Sequence, residues 1–181
     1  MEELSLVKRC LSGEEFACKQ LFDLYSSPML GLCMRYSDNH FEAEDNLQEA
    51  FIKIFQNLHT WKSTGPLGAW IRRIMINTCL TKQKTAYNLH TVSGLDEFHE
   101  RAVDPDILSQ LGYEEIQTLI STMPIGYRTA FTMNIVEGFS YEEMSELLHV
   151  TESTCRSQVF KAKNYLAKRI ELLHPKLKHM L

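Results

Sequence analysis

Residues 140–163, SYEEMSELLHVTESTCRSQVFKAK, decide the fold class. Ser140 and Glu143 have capping-box spacing, so a helix starts there, carrying Tyr141, Met144, Leu147 and Leu148. Residues 148–151 leave room only for a tight turn, and Thr151 caps a second helix. On that helix Cys155, Val159, Ala162 and Leu166 recur at i, i+4, i+7 and i+11 and share one face. Ser153, Arg156, Ser157, Phe160, Lys161 and Asn164 take the opposite face. Two short helices across a tight turn, the second one basic outside, are the pattern of a helix-turn-helix. Arg and Lys on such a helix can donate to guanine edges in the major groove, and an apolar ring can touch a thymine methyl. An ordinary basic surface helix has the same spacing. The large aromatic Phe160 among the bases argues against that reading.

The same period extends outward in both directions. Helices are expected over about residues 113–122 and after Pro124, the latter ended by Gly138. The last helix runs basic and amphipathic to about Leu173. In the first half, Ala43, Leu47, Ala50, Phe51, Ile54, Phe55 and Leu58 form the cleanest apolar stripe. Ser12 with Glu15 also has capping-box spacing, predicting a helix that carries Phe16, Leu21, Leu24 and Tyr25 and restarts or kinks at Pro28. Residues 61–68 break the pattern, and Pro66 suits the first turn of a helix whose buried side is Leu67, Trp70, Ile71, Ile74 and Thr78. Periodicity fades between about Thr85 and Asp106, as in a linker. The fold class is therefore all-α, with hardly any alternating strand pattern.

The totals bound the function. The chain has 181 residues, 44% of them apolar, enough for a core. No apolar run is long enough to span a bilayer, and the acidic N-terminal start does not suit a signal peptide. The five cysteines, Cys10, Cys18, Cys33, Cys79 and Cys155, are odd in number and include no CxxC pair. They read as buried free thiols of a cytoplasmic protein, with neither a disulfide framework nor a zinc site. The net charge of −4 hides two basic blocks. Residues 61–90 hold 5 basic and no acidic side chains, and residues 152–181 hold 7 against 2. Residues 1–60 hold 5 basic against 10 acidic side chains, and residues 91–151 hold 2 against 11. Local charge, not the total, makes a phosphate-binding patch.

The first basic block also holds two tryptophans and a tyrosine. Aromatic faces stack on unpaired bases while cations hold the backbone. Arg73, Asn77 and Lys84 are expected along one side of the helix after Pro66, away from Trp70 and Ile74. Trp70 at apolar spacing reads first as core, whereas Trp61 in a polar Gly/Pro loop reads as functional. The preceding helix has a second face with Asp45, Gln48, Glu49, Ile52 and Gln56. Its acids disfavour DNA and suit a basic protein helix, although charged faces are often only solvated.

Together these segments resemble the extracytoplasmic-function (ECF) group of bacterial sigma factors. The resemblance is carried by AEDNLQEAFIKIFQNLHTW at 43–61, AWIRRIMINTCL at 69–80, and MPIGYRTAFTMNIVEGFSYEEMSELLHVTESTCRSQVFKAK at 123–163. Three such segments in order are highly specific, and they cover nearly the whole chain apart from the linker and tail. The resemblance implies two small helical domains, residues 1–86 and 109–181, joined by a flexible linker at 87–108. It implies that Asp45, Gln48 and Glu49, with Ile52, dock on the clamp helices of the largest subunit of core RNA polymerase. It implies that Trp61, Lys62, Trp70, Arg72, Arg73, Asn77, Lys82 and Lys84 capture the melted minus-ten strand. A flipped base would enter a loop pocket, Trp61 matching an aromatic there and Asn77 a base-reading position. Ser153, Thr154, Arg156, Ser157, Phe160 and Lys161 would read the duplex minus-thirty-five element, and their domain would also meet the polymerase flap. An anti-sigma factor is the further partner implied. The chain departs from the pattern at His149, where a small or turn-forming residue is frequent, and at Gln158 and Lys161, where Arg is frequent.

Two other readings compete. A conventional operator-binding regulator explains residues 140–163 but leaves the aromatic-basic block unexplained. A mimic that sequesters a sigma inhibitor would not need Arg73, Asn77, Arg156 and Lys161. An enzyme is not expected, since there is no phosphate-cradling glycine loop, HExxH or nucleophile elbow. No cofactor, small-molecule substrate or membrane insertion is expected either.

Overall fold

A computed structural model describes the backbone of residues 2–90 and 113–173 and the side chains of residues 3–81 and 115–173. The described residues are helices and connecting turns, and none of these helices is long and apolar enough to cross a membrane. The chain divides into two compact units, Met1–Lys82 and Gln83–Leu181.

The first unit contains α1 (Glu2–Leu11), α2 (Glu15–Tyr36), α3 (His40–Asn57), a 3₁₀ turn (Leu58–Thr60) and, up to Lys82, α4 (Leu67–His90). Five members of the expected α3 stripe, Ala43, Leu47, Ala50, Phe51 and Ile54, are buried, as is Leu58 in the turn, while Phe55 is half-buried. Leu21, Leu32 and Tyr36 of α2 and Leu67, Ile71, Met75 and Ile76 of α4 are buried as well. The rings of Phe22 and Phe51 join α2 to α3 at 4.7 Å between centroids. Asn39 caps α3 by accepting from the Glu42 N–H at 2.9 Å, and Glu42 reaches back to the Asp38 N–H at 2.8 Å. Full burial of a side chain such as Ile54 contributes about 1.5–3 kcal/mol.

The chain start departs from the sequence reading. Helix α1 was not expected, yet it buries Leu6, Val7 and Cys10. Ser12 does not cap α2. Its hydroxyl donates to the Arg9 carbonyl at 2.8 Å, closing α1, and Gly13 turns the chain at φ +84°. Helix α2 begins after Glu14, which pairs with Arg9. Phe16 and Leu24 are exposed, and α2 buries Ala17, Leu21, Met29, Leu32, Cys33 and Tyr36 instead. Helix α2 neither stops nor restarts at Pro28. The carbonyl that loses its N–H partner there belongs to exposed Leu24, where water can take its place.

Helix α4 continues into the stretch assigned to the linker, as far as His90. Residues 91–108, and the tail after Leu173, lie outside the described residues.

In the second unit the four expected helices are α5 (Tyr113–Ser121), α6 (Ile125–Phe131), α7 (Tyr141–Leu148) and α8 (Glu152–Leu173). Helix α6 runs on into one π turn, Thr132–Val136, and Gly138 follows at φ +77°. Leu119, Ile120, Met123, Phe131, Ala162, Leu166 and Ile170 form a core cluster. Met144, Leu148, Cys155 and Val159 bury the facing sides of α7 and α8. Four cysteines are buried and Cys18 is half-buried, and all five are free thiols.

Candidate nucleic-acid interface

In the first unit, the 3₁₀ turn and the loop of residues 61–66 bring the chain from α3 back onto α4. Between the C-terminal end of α3, the turn and α4 lies a cavity of about 360 Å³. Trp70, Ile74, Asn77, Thr78 and Thr81 line it from α4, at near-helical spacing, and Lys53, Asn57 and Thr60 line it from the other side. Asn77 therefore shares a wall with Trp70 and Ile74, where the sequence reading set them on opposite sides. Trp70 is half-buried and walls this cavity rather than lying within the core.

The cavity combines an indole with several polar groups. Lys53 donates to Glu49 at 2.7 Å and to the Thr78 hydroxyl at 3.4 Å. The Asn57 amide donates to the Lys53 carbonyl at 2.8 Å, and the Thr60 hydroxyl to the Asn57 carbonyl at 2.8 Å. Asn77 is exposed and retains both a donor and an acceptor for a base edge. Such a site can stack one planar ring and hydrogen-bond its edge, while the Lys53 charge is matched by Glu49.

The remaining residues of the block surround this site differently. Trp61 is half-buried in the loop, its N–H donating to the Leu58 carbonyl at 3.2 Å. The aromatic on the cavity wall is Trp70. Lys62 and Arg73 are exposed. Arg72 is half-buried, and burial together with neighbouring Arg35 pulls its pKa below the ordinary value. The side chains of Lys82 and Lys84 lie outside the described residues.

On the solvent side of α3, Asp45, Gln48 and Ile52 are exposed together, with Ile52 at 58%. Phe41, one turn before Asp45, is 80% exposed and falls on the same face at i, i+4, i+7 and i+11. The sequence reading missed it, although an aromatic outside the apolar stripe was the available signal. Glu49 is half-buried at the edge of this face and turns toward Lys53.

In the second unit the helix-turn-helix forms as expected. Ser140 and Glu143 make both bonds of the capping box, at 3.1 and 2.8 Å. His149 ends α7 in the left-handed conformation, at φ +55° and ψ +43°. The Thr151 hydroxyl accepts from the Thr154 N–H at 3.1 Å and starts α8. Cys155, Val159, Ala162 and Leu166 all face the core.

The outward residues are Ser153, Arg156 and Ser157, while Thr154, Phe160 and Lys161 are half-buried. Phe160 is thus a partly packed ring rather than an exposed one. Asn164 is buried, contrary to its expected outer position, because it packs beside Tyr127 and Tyr165 around a cavity of about 100 Å³. Gln158 is also buried and cannot substitute for an exposed Arg. The Arg156 guanidinium lies over the Tyr141 ring of α7, a partner not anticipated from the sequence.

Two segments of the chain match known family models. Residues 21–86 match the family model described as Sigma-70 region 2, and residues 113–166 match Sigma-70 region 4. The chain is 29% identical to the RNA polymerase sigma-H factor of Pseudomonas aeruginosa, over 95% of each sequence. It is 26% identical to the ECF RNA polymerase sigma factor SigW of Bacillus subtilis, over 91% of this chain and 94% of that protein. Among solved structures, the sigma factor RpoE in complex with the anti-sigma factor NepR from Bartonella quintana is similar in fold. Its TM-score is 0.54 at 19% identity, over 84% of this chain and 96% of that one. CnrH, solved in complex with the cytosolic domain of CnrY, has a TM-score of 0.52 at 16% identity, over 92% of this chain and 96% of that one. The chain belongs to the ECF group of RNA polymerase sigma factors, which direct promoter recognition and the initiation of transcription.

Proposed function

We propose that the cavity between the C-terminal end of α3, the 3₁₀ turn and α4 receives one flipped base of the melted minus-ten strand. The observation that carries this reading is the joining of Trp70, Asn77 and Lys53 at a single cavity of about 360 Å³. That is near the lower end of ligand pockets, about 300–1,000 Å³, and suits one planar ring. The indole stacks on the base and Asn77 reads its edge, while Lys62, Arg72 and Arg73 guide the strand. Helix α8 enters the major groove of the minus-thirty-five element and reads it through Arg156 and Ser157, with Ser153, Thr154, Phe160 and Lys161 beside them. The α3 face of Asp45, Gln48 and Ile52, extended by Phe41 and edged by Glu49, docks on a basic helix of core polymerase.

The setting is the cytoplasm, where polymerase acts. The complex of RpoE with an anti-sigma factor supports a partner of that kind here too. The deciding experiment forms holoenzyme from this chain and core polymerase and maps permanganate-reactive bases on a promoter. Asn77→Ala and Trp70→Ala should reduce reactivity of the melted bases. Normal melting and unchanged minus-ten preference in both would refute the base-pocket reading.

A further inference from the structure

We propose that Glu3 is a positioning residue for minus-ten reading, capping α4 from another helix and so holding the base cavity in shape. This rests on the reading of that cavity as the base pocket.

Helix α4 has an unmet need at its start. The first N–H groups of a helix lack intrahelical partners, and that end carries a partial positive charge. An acid in the first turn ordinarily answers both, but α4 has none there. A local acid would set negative charge beside the proposed path of the DNA strand, within a block that holds no acidic residue. Pro66 precedes the helix and has no side-chain acceptor with which to cap it. Its carbonyl accepts from Ala69 and Trp70 at 3.1 and 3.4 Å, which leaves the Leu67 N–H to be met from elsewhere.

Glu3 meets it from 64 residues away. One carboxylate oxygen accepts from the Leu67 N–H at 3.2 Å, and the other accepts from the Tyr25 hydroxyl at 3.2 Å. Burial, and then the Glu3 charge, push the Tyr25 pKa upward, which keeps its proton available for donation. The Tyr25 ring in turn lies under Gly68. A Cβ at position 68 would stand 3.3 Å from the ring. Leu67 itself is fully buried. The first two residues of α4 are thus tied to both α1 and α2.

The geometry carries this tie to the cavity. Trp70 lies in the first turn of α4, and Ile74 and Asn77 follow at +4 and +7. A rigid helix transmits the placement of Leu67 and Gly68 to all three. If the first turn frays, the indole leaves the wall and the residues of the loop lose their anchor. The negative charge is delivered from α1, so residues 61–90 need no acid of their own.

The test uses holoenzyme with Glu3→Ala, Glu3→Gln or Tyr25→Phe on promoters randomised in the minus-ten element. Loss of a helix cap at the typical magnitude corresponds to about fivefold. Glu3→Ala should therefore lower open-complex formation about fivefold and relax minus-ten selection, leaving core affinity and upstream selection unchanged. Glu3→Gln keeps an oxygen for the Leu67 N–H and should restore most of the selection. Amide hydrogen exchange at Leu67 should accelerate in the alanine variant and much less in the glutamine one. Tyr25→Phe keeps the ring beneath Gly68 and should fall between them; if Glu3→Ala does not fold, it decides by the same readouts.

Unchanged minus-ten selection in Glu3→Ala overturns the proposal. So does an equal loss of core binding and upstream selection, which would mark a merely structural role. Asn77→Ala on the same library separates the two levels. If it and Trp70→Ala both leave selection unchanged, the base-pocket reading fails. If it relaxes selection while Glu3→Ala does not, only the positioning role fails.

Discussion

The Arg156 guanidinium sits 4.6 Å from the centroid of the Tyr141 ring. This joins the first helix of the helix-turn-helix to an exposed cation on the outer face of the second. Arg carries a large rotamer entropy, and a guanidinium held on a ring has lost part of it before DNA arrives. The same planar fork can still direct its N–H groups at a guanine edge.

Replacement of Arg156 by Ala should cost about 1–3 kcal/mol at the preferred promoter and relax selection at one base pair. Tyr141→Ala should reproduce part of that loss, since a cation–π contact at an exposed site is worth about 0.5–1 kcal/mol. Tyr141→Phe keeps the ring and should preserve selection. Holoenzyme binding to promoters randomised in the upstream element checks all three. Retained selection in Tyr141→Ala would show that the stacking does not prepare Arg156.

Core-polymerase docking should depend on the exposed α3 face more than on Glu49, whose carboxylate is engaged by Lys53. Phe41→Ala and Ile52→Ala should each weaken core affinity, and a central anchor of an interface typically costs more than 1 kcal/mol when truncated. Because both side chains are exposed, the thermal midpoint of the free protein should hardly move. Asp45→Lys should weaken binding most at low salt. A pull-down titration against core enzyme, run beside thermal denaturation, separates docking from stability. Full core affinity in both apolar variants would exclude this face.

The helix-turn-helix was legible because each signal is local. The capping box, the four-residue turn and the i, i+4, i+7 stripe all lie within 24 residues, and each formed in place. Glu3, Tyr25 and Leu67 were not legible, since two of their contacts span 22 and 64 residues and no local pattern announces them. Ser12 failed for a related reason. Its spacing to Glu15 satisfies a capping box, but Gly13 and the end of α1 claim the same residues. Asn77 and Asn164 show a limit of helical wheels. A wheel gives the direction of a side chain but not what the neighbouring helix leaves open, so Asn77 stays exposed on its cavity wall and Asn164 is buried.

The cysteines give a prediction with a definite pH direction. Burial, with the neighbouring Cys18 thiol, pushes Cys10 up to about 11. An unfolded thiol titrates near ~8.5. The neutral thiol is the form that the folded core favours, so its contribution is complete below the unfolded value and is lost as pH rises toward 11. Cys33 and Cys79 sit with their sulfurs 3.8 Å apart, and their mutual hydrogen bond followed by burial raises Cys79 further. Alkylation of the native protein at pH 8 should therefore begin at half-buried Cys18, with Cys33 and Cys79 reacting only on unfolding. Mass-spectrometric mapping over time would show this order, and early labelling of Cys79 would contradict it.

His149→Gly should stabilise the second unit. His149 holds φ +55° and ψ +43° at the end of α7, where its N–H and that of Val150 both donate to the Ser145 carbonyl, the latter at 3.3 Å. A left-handed residue with a Cβ costs roughly 1–2 kcal/mol, whereas glycine adopts the conformation without that clash. Glycine also enlarges the unfolded ensemble, which removes part of the gain. The expected net effect is about +0.5–1 kcal/mol, or several degrees in the midpoint of a unit this size. His149 is exposed, and the turn keeps its shape, so selection at the upstream element should be unchanged. His149→Ala tests the cause, because it retains the Cβ and should give no comparable gain. Thermal denaturation resolved for the second unit would measure both. An equal rise in the two variants would trace the effect to loss of the imidazole rather than to relief of the left-handed backbone.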